Sequence, residues 1–156
     1  MDTPPVPTAS LLDHLRDLYE NRIPFNRTLG MTVTALAPGT AKVRFAIRPE
    51  LIGNPVHQTL HGGVISAVLD ATGGLTASTG LVERQAGGSL DDFAALVTRV
   101  GTIDLRVDYL RPGRGETFTA SGTVMRAGNK VAVIRMELHD ETSVLLAVGT
   151  GTYLVG

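Results

Sequence analysis

The chain has 156 residues, of which 43% are apolar and 19% charged, with a net charge of −1. That balance fits one globular domain around one core and excludes extended disorder and a general basic field for nucleic acid. No segment approaches the roughly 20 apolar residues of a membrane span, and the absence of cysteine excludes disulfides, thiolate metal sites and cysteine nucleophiles.

Residues 1–8 are proline-rich and expected to be loose, with neither the basic nor the apolar region of a secretion signal. A single cytoplasmic domain over residues 9–156 is the expectation. From Ser10, SLLDHLRDLYENR sets Leu11, Leu12, Leu15, Leu18 and Tyr19 on one stripe behind a capping-box pair, Ser10 and Asp13. This predicts a short amphipathic helix ending before Pro24. MTVTALA from Met31 and AKVRFAIRP from Ala41 read as strands joined by a Pro38-Gly39 turn.

The loop IGNPVHQTLHGG then leads into VISAVLDATGGLTAST, an apolar helical run carrying one acid, Asp70. LVERQAGGSLDDF is polar and glycine-bearing and reads as a loop. In GTIDLRVDYL, alternation puts Ile103, Leu105, Val107 and Tyr109 on one face, and Thr102, Asp104, Arg106 and Asp108 on the other. ETFTASGTVMR, KVAVIRMELHD and SVLLAVGTGTYLV are three further strands with short connections, hence antiparallel neighbours. The sum is an α+β domain of five to six antiparallel strands wrapped around one long helix, with a short N-terminal helix.

The stretch HGGVISAVLD, His61 to Asp70, carries the chemistry. A helix starting near Gly62 or Gly63 leaves its first amides without intrahelical partners, at the positive end of the dipole. Glycine there lets a carbonyl reach the amide of Gly63. His61 sits just before that end, where the dipole favours neutral imidazole. Asp70 shares a face with Ser66, Ala67, Gly73, Gly74 and Ala77, small residues that permit close approach of a ligand or another backbone. No basic residue stands at helical spacing to pair the acid, so it is free to act as general base or nucleophile, or merely to hydrogen-bond a core amide. Gly63 and Asp70 are seven positions apart, about 10 Å along a helix, too far to touch one carbonyl. An antiparallel copy of the helix would unite them, which predicts a homodimer with composite sites.

His57 and His61 are four apart, but they lie in a loop beside Pro55 with no third ligand evident, so no metal and no cofactor is expected. Arg111, Arg114, Arg126 and Lys130 stand at strand-connecting turns, either as solvated cations or as phosphate contacts.

With HGG, an acid nine residues after the histidine and this order of elements, the chain resembles the hot-dog-fold acyl-CoA thioesterases of the phenylacetate-degradation (PaaI-like) group, over residues 25–153. The resemblance implies a hot-dog fold that hydrolyses an acyl-CoA to acid and CoA without metal or cofactor, as a dimer or a tetramer. Asp70 would then activate water or attack the carbonyl, the Gly63 amide would polarise the thioester oxygen, and His61 would orient groups around it. Thr102 matches a Ser or Thr that the family places beside the acid, and Asn54 matches an asparagine before HGG. The loop departs from the usual form, being one residue longer, lacking a mid-loop glycine and carrying His57. Gly62, Val64, Ser66, Gly73 and Gly74 would line the acyl group, and Arg111, Arg126 and Lys130 would meet the CoA phosphates. Two rivals stay open: a hot-dog hydratase or dehydratase, and an acyl-CoA-binding module without turnover.

Overall fold

The computed structural model describes residues 6–85 and 87–156. Helix α1 (Thr8–Asp17) buries Leu11 and Leu15, and continues through a wider turn (Leu18–Arg22) that buries Tyr19. The expected stripe is therefore the one that packs. The expected cap is not used: the helix opens at Thr8 after Pro7, with no side-chain cap, and Ser10 lies inside it. Pro7 supplies extended geometry at the boundary, so the start needs no hydroxyl. Of the stretch expected to be loose, residues 1–5 lie outside the described residues. A second short helix, α2 (Pro24–Leu29), was not foreseen. Proline opens its first turn, where its missing N–H costs nothing, and Gly30 closes it at φ 70°.

Strands β1 (Thr32–Ala37) and β2 (Thr40–Ala46) form a hairpin, and β2 alternates outward Lys42 and Arg44 with buried Ala41, Val43 and Phe45. The HGG loop holds a two-stranded ribbon, β3 (Ile52–Asn54) and β4 (Thr59–Leu60). Helix α3 (Gly62–Thr79) follows directly. The segment expected as loop folds instead into a turn, Glu83–Gln85, and helix α4 (Leu90–Val97), which buries Phe93 and Val97. Its start is a complete capping box: Ser89 Oγ accepts from the Asp92 amide at 3.1 Å, and Asp92 Oδ2 accepts from the Ser89 amide at 3.2 Å.

The second half supplies β5 (Gly101–Tyr109), β6 (Thr117–Ala127), β7 (Val131–Asp140) and β8 (Leu145–Leu154). With β1 and β2 they make a six-stranded antiparallel sheet in the order β1-β2-β6-β7-β8-β5, with β1 and β5 at its edges. The sheet wraps α3: Phe118, Ala120, Ile134, Met136 and Leu138 face Val68, Leu69 and Leu75 in one core. The close approach of β6 requires Gly122, where a Cβ would strike the Thr76 side chain. Buried Thr72, Thr76, Ser78 and Thr79 return their hydroxyls to carbonyls of their own helix, at 2.7–2.8 Å, so the polar part of α3 sits in the core without orphaned groups. No helix among the described residues is long and apolar enough to cross a membrane.

Candidate active site

His61 is the N-cap of α3, and its ring Nδ1 accepts from the Gly63 amide at 2.8 Å. Because Nδ1 is an acceptor, a neutral ring carries its proton on Nε2. The backbone here is crowded by design: a Cβ on Gly53 would lie 2.6 Å from His61 Cα, so β3 can pass the helix entrance only with glycine. His61 is also tied to the preceding ribbon through its amide, which donates to the Leu51 carbonyl at 2.9 Å.

This cap corrects the expectation for Gly63. Its amide is already donated to the histidine ring, whereas the Gly62 amide has no acceptor among the described residues. Gly62 is thus the open donor at the helix entrance. Its carbonyl accepts from the Tyr109 hydroxyl at 2.9 Å, which fixes the peptide next to it. An open cleft of about 340 Å³ lies beside it, walled by Gly62, Ile65, Tyr109, Arg111 and Gly113. A larger groove, about 510 Å³, runs on the outer face of the sheet between Lys42, Arg44 and His139, away from the helix.

Asp70 is half-buried two turns further along α3. Its Oδ1 accepts from Thr102 Oγ1 at 2.8 Å and from the Tyr153 hydroxyl at 3.2 Å, and Oδ2 has no donor among the described residues. The Thr102 contact comes about differently from the alternation argument. A bulge in β5 between Thr102 and Asp104 sets Thr102 opposite Tyr153, on the face of Leu105 and Val107, and turns Ile103 out to 56% exposure. One extra residue switches the side on which every residue before it points. Tyr153 was missed altogether. Burial, and then the negative charge of Asp70, push its phenol well above the usual tyrosine range, so it is a hydroxyl donor.

The remaining expected residues divide. Asn54 is occupied in its own hairpin, Oδ1 accepting from the amides of Val56 and His57 at 3.0 and 3.1 Å, and His57 is an exposed turn residue. Ser66 returns its hydroxyl to the Gly63 carbonyl, and Val64 is half-buried. Gly73 and Gly74, expected to line an acyl path, are covered instead by the phenols of Tyr153 and Tyr19. Small residues here admit aromatic rings of the same chain. Arg111 lines the cleft at Gly62, its Nη1 donating to the Leu145 carbonyl. Arg126 and Lys130 do not join it: successive connections of an antiparallel sheet alternate ends, and the eleven residues of β6 separate the two turns.

The thioesterase superfamily model matches residues 57–147, from the loop before HGG into β8. The chain belongs to the thioesterase superfamily. The enzyme class and hot-dog architecture expected from HGGVISAVLD therefore hold. The medium/long-chain acyl-CoA thioesterase YigI of Escherichia coli K12 is 46% identical to this thioesterase over 140 residues, 90% of each chain. A Shewanella oneidensis crystal structure described as related to the thioesterase superfamily superposes with a TM-score of 0.92 at 45% identity, covering 99% of this chain and 100% of that one. The PaaI protein of the E. coli phenylacetic acid degradation operon has a TM-score of 0.75 at 20% identity, covering 96% of this chain and 95% of that one, a likeness of fold.

Proposed function

We propose that this thioesterase hydrolyses medium- to long-chain acyl-CoA thioesters to the free acid and CoA. The observation that carries the reading is the Asp70 carboxylate, with Oδ1 held by two hydroxyls and Oδ2 without a donor among the described residues. The chain-length class comes from the relative at 46% identity, named as a medium/long-chain acyl-CoA thioesterase.

Oδ2 takes a proton from water as its oxygen adds to the thioester carbonyl, or itself adds to that carbon. In the first route the C–S bond breaks as the proton held by Asp70 passes to the sulfur, giving the acid and the CoA thiol. In the second the C–S bond breaks to release CoA thiolate. Water then cleaves the mixed anhydride on Asp70, freeing the acid, restoring the carboxylate and supplying the proton to the thiolate. The Gly62 amide, at the positive end of α3, would donate to the carbonyl oxygen as negative charge develops on it, a role usually worth about 10²–10³ in rate. His61 keeps the neighbouring amide occupied and holds the turn. Arg111, at the mouth of the cleft, suits the phosphates of CoA. Arg126 and Lys130 could reach that cleft only from another subunit.

Gly62 and Asp70 are eight positions apart, about 12 Å along the helix, so one carbonyl meets both only if two helices contribute. Edge strand β5 offers the means. Its outer backbone groups are unpaired within the sheet, and Ile103 and Tyr109 stand more than half exposed on it. Two-fold pairing of β5 edges sets the helices antiparallel, giving a homodimer with composite sites, or a tetramer where dimers pair. Co-expressed Asp70→Ala and Gly62→Val chains test this. Mixed dimers should regain activity that both parents lack, and persistent inactivity in verified mixed dimers would rule shared sites out.

A further inference from the structure

We infer that Tyr153 is a positioning residue for the hydrolysis, holding the plane of the Asp70 carboxylate together with Thr102. The inference rests on the reading of Asp70 as the acting acid. Tyr153 is 1% exposed near the end of β8, and its hydroxyl lies 3.2 Å from Asp70 Oδ1 and 3.1 Å from the Asp70 carbonyl oxygen. Those two atoms are its only hydrogen-bond partners among the described residues.

Space for the ring is provided by glycine on both sides. A Cβ on Gly73 would collide with the phenol oxygen and lie 2.6 Å from the ring carbon that bears it, and a Cβ on Gly151 would lie 2.7 Å from the ring edge. Helix and strand thus give up side chains at facing positions for a phenol that reaches one residue. Tyr19 closes the slot over Gly74 and bonds Ser78, at 3.5 Å, rather than Asp70.

The effect follows from the torsions of a carboxylate. The last aspartate torsion is broad and nearly two-fold, so without a donor the group turns and exchanges its oxygens, and a single donor restrains it only in part. Thr102 comes from the edge strand β5 and Tyr153 from the interior strand β8. Two donors from different strands fix one oxygen in place and leave the other toward substrate. A misplaced catalytic group is costly even at small displacements.

The test compares native protein, Tyr153→Phe, Thr102→Val, the double variant and Asp70→Asn in CoA-thiol release from a saturated acyl-CoA, each checked for fold by circular dichroism. Tyr153→Phe should lose about tenfold in kcat with KM unchanged. The double variant should lose more than the product of the single losses, since either donor alone still restrains the oxygen in part. Gly73→Ala, which pushes the phenol away, should reproduce the kcat loss at unchanged KM. A phenol that only fills space predicts lower thermal stability with native kcat, and that result overturns the inference, as does a double variant no worse than the product. If Asp70→Asn keeps native activity, the reading of Asp70 itself fails. If Asp70→Asn is inactive while Tyr153→Phe keeps native kcat, only the role of Tyr153 fails.

Discussion

Replacing Gly53 with alanine puts the helix entrance under direct strain. The added methyl would stand 2.6 Å from His61 Cα, 3.0 Å from its Cβ and 3.1 Å from its amide nitrogen. Carbon atoms rest at about 3.5–4.0 Å, so the overlap approaches 1 Å. Two of the three atoms are backbone, and no rotamer change relieves them. The His61 backbone is moreover held by its bond to the Leu51 carbonyl. Overpacking of this kind costs about 1–3 kcal/mol, and each kcal/mol lowers Tm by about 2–4 °C in a chain of this size. A loss of about 2–12 °C is expected. Because His61 carries the cap on Gly63, kcat should fall with stability, by about tenfold or more. Calorimetry and CoA-release kinetics on Gly53→Ala measure both. A Tm within about 1 °C of native, together with unchanged kcat, would refute the packing argument.

Three more outcomes are expected. Ser89→Ala removes the capping box of α4 and should cost about 1 kcal/mol in urea unfolding, with kcat untouched. Arg111→Ala should raise KM for acyl-CoA by about three- to tenfold at low salt, with a smaller change at high salt and little change in kcat. Tyr19, whose phenol burial pushes up from 10.0 to about 12, makes stability fall in alkali. The unfolded chain releases that proton first, so its contribution is complete below about 10 and is lost as pH rises toward 12. Urea midpoints from neutral pH to about 11 should drop, and Tyr19→Phe should lessen the drop, the raised phenol of Tyr153 supplying the rest.

The architecture was readable because most of it is written in periodicity. The alternation of β2 and the Leu11, Leu15 and Tyr19 stripe both reappear in the burial of those residues. Helix α4 was missed although its signal was present: Ser89 and Asp92 have capping-box spacing before Phe93 and Val97, but the glycines ahead of them suggested a loop. The Ser10 and Asp13 pair has similar spacing and caps nothing, since Pro7 already ends the extended chain. A local motif of this kind decides a boundary only where tertiary packing leaves the choice open.

In the site, Thr102 does stand beside Asp70, its hydroxyl 2.8 Å from Oδ1, but on the opposite face of β5 from the one the alternation predicts. A bulge is a property of strand pairing, set here by β8, and leaves no mark in the alternation of β5 alone. Tyr153 was invisible for a related reason. It lies 83 positions from Asp70, and only the fold brings that phenol to the acid. The choice between the amides of Gly62 and Gly63 likewise needed the rotamer of His61, whose ring occupies one of them.

On the proposed mechanism, Asp70 performs the thioester hydrolysis. CoA-thiol release by native protein and Asp70→Asn, across short, medium, long and aromatic acyl-CoAs, tests it most directly. Asparagine keeps the oxygen that Thr102 and Tyr153 hold, so fold and KM should persist while kcat falls by about 10²–10⁴, with medium and long chains the best substrates of the native protein. Native turnover in Asp70→Asn would contradict a catalytic Asp70, and binding of acyl-CoA by both proteins with no hydrolysis by either would contradict acyl-CoA hydrolysis itself.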